Sequence, residues 1–506
     1  MQGSGLKGII AGIILVVLCF IIGAYAAESA VSSAAIIAAV VGALVLILMG
    51  KRCWWLIFLL GPVVDVLPLP GPLSTIPGPM YMAFAVLAYW LLLWAMGHVK
   101  IKWRSFLLLD LLVLALAVYV VAAYIRRPVS INYLGIETDT QGGADYVYYA
   151  VAFVYYLTLS CIPMEKGEFT KVLRWSVWIC LVSLAIRFFW DIVRGGWSAD
   201  DFGETRNLAG ISFGLCGITA LCAKYSLVSI ILNPLLMVWV LLCMCGVVMT
   251  GARQGIGVLT FTILNVVIIK KEILSCIFIG CAALLGLYMM SAAGVTERMP
   301  YTAQRLISVL PGIKIGRDAT TSTNGTWRWR MIIWEQALDK RSGYTKDYVF
   351  GDGYGISTAT HGRLLRGAMR GQHDPTDIDS FAIQGIWHNG AITIIHRLGY
   401  VGLSLVSLIL IVGSFYMFRV CFALRSSPLF VPILFYVSGY ATNIPNMLVG
   451  VGGERQFIFH FSSLALIKWA YCMLREEGKL ISLWQRKRYV PQMIREYSDE
   501  LRNPVS

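Results

Sequence analysis

Apolar stretches of about 20 residues recur along this chain, with short polar connections between them. A run of that length is what an α-helix needs to cross the hydrocarbon core of a bilayer. Backbone groups inside lipid must be satisfied within the segment itself, so runs this long mean helices rather than barrel strands. The runs fall at about 8–27, 30–50, 53–67, 80–97, 105–124, 146–163, 175–192, 207–223, 227–250, 255–269, 273–293, 391–418, 428–448 and 456–474. They predict an all-α, polytopic helical membrane protein with twelve to fourteen transmembrane helices. The runs 53–67 and 255–269 are short for a straight crossing, which leaves broken or re-entrant segments open there. The run from Gly8 to Ala27 lacks a cleavage site and reads as a retained span. Composition agrees: 58% of the 506 residues are hydrophobic and 14% charged. Soluble domains hold about 45–50% apolar and about 25% charged residues.

Lysines order the connections. Lys7, Lys51, Lys100, Lys102, Lys166, Lys171, Lys224, Lys270 and Lys271 fall on every second one, joined by Arg419, Arg425 and the basic tail. The positive-inside rule makes that side cytoplasmic and places both termini there. The opposite connections favour arginine: Arg126-Arg127, Arg194, Arg206 and Arg253. A planar guanidinium suits bidentate phosphate contacts, although headgroup anchoring explains some of these residues equally well. The net charge of +14 comes with no nucleic-acid motif, so topology and an anionic ligand account for it better than nucleic acid does.

One long polar segment, Met299 to about Gly402, interrupts the apolar pattern. Long connections rarely persist without a task. Trp327, Trp329, Trp334, Tyr344, Tyr348, Phe350 and Tyr354 make it too aromatic for a solvated linker. Within it, residues 300–310 predict a short helix, and Thr326 to Asp339 an amphipathic one. Arg328 and Arg330 fall on different faces of the latter. Gly351-Asp-Gly-Tyr-Gly355 predicts a tight turn, and His361 to Asp379 a charged lid. The expected division is residues 1–293 as N-terminal transmembrane helices, 294–390 as the long loop, 391–474 as C-terminal transmembrane helices, and 475–506 as a basic cytoplasmic tail.

The twelve cysteines lie mostly in apolar runs and none lies in the insert, which argues against a disulfide scaffold or an external metal site. Cys243 and Cys245 read as small hydrophobes on a helix. Asp374, Asp377 and Asp379 read as a solvated face before they read as cation ligands.

His388 stands where the insert enters a helix. A histidine there titrates near neutral pH and suits a general base toward a hydroxyl; a water-facing residue at a helix start is the alternative that chemistry alone leaves open. His396, two turns on, either lines the same site or packs. Arg455, beside Glu454, is either a phosphate contact or half of an internal ion pair.

His388-Asn389, nine intervening residues, then Gly399-x-x-Gly402 resemble the H-N-x9-G-x-x-G signature of the O-antigen ligase and polymerase superfamily. Thr250-Gly-Ala-Arg253-Gln-Gly255 is similar to that family's T-G-S-R-G, with alanine for serine and Gln254 inserted. Arg330-Met-Ile-Ile-Trp334-Glu-Gln-Ala337-Leu338 and Phe350-Gly-Asp-Gly-Tyr-Gly355 resemble its R-x-x-x-W-x-x-A-L and G-x-G-x-G run. Arg206-Asn207 is similar to its asparagine at the start of a span. The resemblance implies a GT-C-like glycosyltransferase of the bacterial inner membrane, inverting, with no cofactor and no metal, and with its active site facing the periplasm. The donor would be a glycan on undecaprenyl diphosphate. The acceptor would be lipid A-core (a ligase), a growing glycan (a polymerase), or a protein hydroxyl. His388 would be the base and Arg253 and Arg330 the diphosphate ligands. Arg206, Asn207, Asn389, Arg328, Trp334 and Arg455 are further candidate substrate contacts. A transporter for the same lipid is the rival class; it would carry ionisable groups mid-membrane or inverted repeats, and the sequence shows few of the former and no evident repeat.

Overall fold

The computed structural model describes residues 42–64, 78–102, 104–130, 140–141, 143–194, 208–249, 253–308, 310–357, 387–449 and 460–480. The tail beyond 480, the predicted lid 361–379 and the first predicted span lie outside the described residues. The chain is an all-α polytopic membrane protein.

In chain order the helices are α1 (Gly42–Arg52), α2 (Trp55–Val63), α3 (Gly78–Ala95), α4 (Leu108–Arg126), α5 (Ala144–Cys161), α6 (Lys166–Arg194), α7 (Leu208–Lys224), α8 (Leu227–Leu232), α9 (Pro234–Met249), α10 (Arg253–Lys270), α11 (Ile273–Ala292), α12 (Tyr301–Ile307), α13 (Arg317–Leu338), α14 (Gly390–Leu424), α15 (Phe430–Val437), α16 (Asn443–Val449) and α17 (Phe461–Glu476). Four of them, α4, α6, α11 and α14, are long and apolar enough to cross a membrane. The pair α1–α2 adds a fifth if it is one span; it bends by 119° at residues 53–54, between the predicted runs 30–50 and 53–67. Shorter apolar helices fill α3, α7, α9 and α10. The run 428–448 is broken, into α15 and α16, with residues 438–442 turning between them.

Helices α4, α5, α14 and α17 form the centre. Trp469, Tyr149, Tyr155, Tyr156 and Phe461 are fully buried there. Helix α17 is buried nearly all round, Lys468 included. Helix α11 is the opposite case: none of its apolar window is buried. Helices α7 and α9 meet through small residues, since a Cβ on Gly210 would come 2.4 Å from the Gly246 carbonyl oxygen. Such residues let backbones approach where lipid supplies no hydrophobic drive between helices. Cys243 sits in this seam, buried, as a small hydrophobe should.

A polar cluster ties α4 to α17 within the apolar centre. Lys468 pairs with Asp110, the Tyr156 hydroxyl donates to Asp110 Oδ1 at 2.9 Å, and the Leu107 amide donates to Oδ2 at 2.7 Å. Every partner needed to hold a buried carboxylate is present.

The lysine pattern becomes geometry. Lys102 meets Glu476 at 2.9 Å, Lys166 meets Glu477 at 2.6 Å, and Arg52 meets Glu168 at 2.9 Å. Lys270 Nζ donates to the Cys222 and Tyr225 carbonyls at 2.7 and 2.6 Å. These contacts gather the lysine-bearing connections at one end of the bundle. Hydrogen bonds from Lys166 and Lys479 hold the Glu477 carboxyl below its ordinary range. The insert lies at the other end.

Candidate functional site

The entry to α14 is a capped turn. Asn389 is the N-cap, extended at φ −148°, and its side chain accepts from the Ile392 amide at 3.1 Å. The Trp387 amide donates to Thr393 Oγ1 at 3.3 Å. The first bond satisfies an amide of a first turn that has no helical partners, and the second ties the residue before His388 back to the start of the helix. Between them His388 adopts φ +50°, a left-handed conformation in which histidine and asparagine are enriched among non-glycine residues. That backbone turns its imidazole onto the insert, with its ring centroid 5.3 Å from that of Trp329.

Helix α13 brings the insert to this turn. Ile333 and Ala337 are buried against Trp387 and Ile392, with Trp329, Trp334 and Tyr344 around them. The Trp334 indole donates to the Trp387 carbonyl at 2.8 Å. Arg330 precedes Trp334 by one turn, so helical spacing puts it on this same stripe. Arg328 is exposed and lies on the far face, as its offset of two residues demands. The amphipathic helix is longer than the sequence predicts, starting at Arg317 instead of Thr326, and the insert's first helix is α12.

The glycine turn docks further along α14. Gly399 breaks that helix at φ 67°, ψ −174°. The break strips backbone groups of their helical partners, and the turn supplies replacements. Asp352 and Gly353 amides donate to the His396 and Arg397 carbonyls at 2.6 and 2.9 Å, while Tyr400 and Val401 amides donate to the Tyr348 and Val349 carbonyls at 2.8 and 3.2 Å. Tyr119 Oη sits 2.7 Å from the Leu398 carbonyl and 3.0 Å from that of Phe350. No room is left for a side chain: a Cβ on Gly399 would lie 2.1 Å from Val349 O, and one on Gly351 2.4 Å from Arg397 O. The two glycine motifs are thus the two halves of one joint.

Arginines lock the joint. Arg126 donates to the Phe350 and Gly351 carbonyls at 2.7 and 2.6 Å and meets Asp347 at 3.3 Å. Arg127 meets Asp352 at 2.8 Å. Arg397 pairs with buried Asp145 at 3.0 Å and lies over the Tyr354 ring. Thr140–Gln141 and Ile356–Ser357 add a two-residue antiparallel ladder on the same side. Partial burial, then Asp339, raises the Tyr348 phenol above its ordinary value, and its hydroxyl lies 3.3 Å from the Ala337 carbonyl.

The structure therefore brings together His388, Asn389, Trp334 and, on the same helical stripe, Arg330. Asn389 and Trp334 spend their polar groups on capping and on the Trp387 carbonyl, roles that the candidate substrate contacts did not foresee. His396 packs: its Nδ1 is 3.1 Å from Thr345 Oγ1 and its ring meets Trp387. Arg253 begins α10, and its side chain lies outside the described residues. Arg206, Asn207 and Arg455 also lie outside them, as do Ala252 and the aspartates of the lid. Sequence reasoning missed the locks from Arg126 and Arg127, although both arginines stood out as outer-side residues. It also missed Lys468, a single charge in a run read as a span.

No family model matches the chain. A stretch of 67 residues is 36% identical to CASP-like protein 2D1 of Sorghum bicolor; it covers 13% of this chain and 37% of that protein. A match so short shows no family.

Proposed function

We propose that the chain is an O-antigen ligase-like glycosyltransferase, which transfers a glycan from undecaprenyl diphosphate to a hydroxyl of lipid A-core. The observation that carries this reading is His388. It is held in a left-handed turn at the mouth of α14, against Trp329 of the insert, inside a motif whose Gly399 forms the joint with Gly351 of the glycine turn. A base on a rigid helix entry is positioned for one task, and positioning is where much of catalysis comes from.

In this reading His388 takes the proton of the acceptor hydroxyl. The oxygen attacks the anomeric carbon from the face opposite the diphosphate, and configuration inverts. The glycosidic bond electrons leave with the diphosphate. Arg253 and Arg330 hold the charge that grows there, the service preorganised cations give best in a partly dry site. The chain sits in the bacterial inner membrane in a GT-C-like arrangement of twelve to fourteen crossings, with its site facing the periplasm.

A polymerase is the nearest alternative. The connection from Arg126 to Asp145 is the nearest candidate for the second substrate loop a polymerase would use, and Arg126 and Arg127 are bonded to the glycine turn instead. That favours the ligase.

The test is substitution of the diphosphate ligands. Arg253→Lys and Arg330→Lys keep charge but lose the planar fork. A charge-assisted hydrogen bond is worth about 1.5–3 kcal/mol, so each variant should slow transfer about tenfold to a hundredfold. Donor binding, measured beside turnover, should weaken too. Unchanged affinity and unchanged rate in both variants would remove these arginines from the diphosphate.

A further inference from the structure

At the lysine-bearing end of the bundle, far from His388, a cleft of about 690 Å³ opens between α6, α7, α9 and α15. That volume is within the usual range of ligand sites, roughly 300–1,000 Å³. Its walls follow one plan. On α6, Arg174 at the bundle end is followed one turn deeper by Trp178. On α7, Lys224 at the end has Leu221 one turn deeper. Trp239 of α9 closes the apolar part, and Arg425, just past α14, is the third cation at the rim.

None of the three cations is in an ion pair among the described residues, and no carboxylate lines the cleft. Arg425 gives one guanidinium nitrogen to the Ile269 carbonyl, while its Nε is buried without a hydrogen-bond partner. Arg174 reaches only a long contact, 3.4 Å, to the Pro428 carbonyl. Trp178 is 59% exposed, so the apolar wall is open to the side where lipid lies. Lys224 lies over the Tyr225 ring and Arg425 over the Phe422 ring, so the three rim cations meet no carboxylate among the described residues. Such a rim above an apolar wall matches an amphiphile with an anionic head and acyl tails.

We propose that this cleft binds an anionic phospholipid of the leaflet at the lysine-bearing end, its phosphate between Arg174, Lys224 and Arg425 and an acyl chain along Trp178, Leu221 and Trp239. The site is separate from the glycan chemistry and does not depend on it.

The experiment titrates the delipidated full-length protein, in an uncharged detergent, with dioleoyl phosphatidylglycerol and reads Tm. A saturable rise is expected, with none from dioleoyl phosphatidylcholine or inorganic phosphate. Arg174→Gln and Lys224→Gln should each raise the midpoint of the titration about fivefold, and both together more steeply. Lys51→Gln with Arg52→Gln, at the same end but away from the cleft, should leave it unchanged. Leu221→Trp should fill the apolar part and abolish the saturable response while the lipid-free Tm stays within a few degrees. Because Arg425 also holds the Ile269 carbonyl, the charge test rests on Arg174 and Lys224. An equal response to phosphatidylcholine, an equal response to inorganic phosphate, or equal midpoint shifts in the cleft and control variants would overturn the proposal.

Discussion

His388 is the residue on which most of the argument turns, and its backbone is as informative as its ring. A left-handed conformation costs a side-chain-bearing residue about 1–2 kcal/mol relative to the right-handed one. Here it lies between two capping bonds that over-determine it, the circumstance in which such strain persists at functional sites. We expect His388→Ala to lower transfer by about 10²–10⁴-fold, the usual contribution of a general base. His388→Asn, which tolerates the same backbone conformation, should leave Tm near wild type and still be inactive. Transfer in His388→Asn within a few-fold of wild type would assign the residue to the turn alone. At this scale the sequence was readable where spacing carries meaning: the histidine at a helix entry, and Arg328 and Arg330 on opposite faces. It was not readable where a polar side chain serves the backbone. Asn389 precedes the helix directly, which is an N-cap signal, yet nothing local distinguishes capping from substrate contact. Nor does Trp334 announce that its indole will hold the Trp387 carbonyl.

Helices follow from apolar runs, whereas their breaks follow from what docks on them. The run 391–418 reads as one span, and only the glycine turn explains why the chain needs Gly399 to interrupt it. We predict that Gly399→Ala destabilises the protein by at least about 2 kcal/mol, since it combines a steric clash with an unfavourable φ. A fall in Tm of several degrees should accompany it; an unchanged Tm would mean that the joint is loose. The α4–α17 cluster makes a second prediction. Lys468→Met leaves Asp110 buried without its cation, and breaking such a pair costs about 3–5 kcal/mol. Lys468→Met combined with Asp110→Asn should recover much of that loss. A transporter that moved ions through this pair would instead lose transport in both variants, whatever their stability. The pairing was invisible in the sequence because its members are 358 residues apart.

For the whole molecule, alternation of lysines and length of apolar runs were enough to predict helices ordered end to end. The structure places the lysine-bearing connections together and the insert opposite them. Orientation in the membrane is then one question. Cysteines introduced at Ser342, in the insert, and at Ser426, at the lysine-bearing end, of a variant whose twelve native cysteines are replaced, should differ in reaction with an impermeant thiol reagent in intact spheroplasts. Ser342→Cys should react and Ser426→Cys should not; the reverse would turn the insert to the cytoplasm and away from lipid-carried glycans.

In the proposed reaction a glycan leaves a lipid diphosphate with His388 as base. The most direct measurement places the purified protein in liposomes with an undecaprenyl-diphosphate-linked glycan and lipid A-core, and separates products on a gel. Wild type should give lipid A-core carrying the glycan, with no divalent cation required, and His388→Asn should give none. Product formed equally by wild type and His388→Asn, or no product from wild type with any hydroxyl acceptor while the donor is bound, would contradict the account.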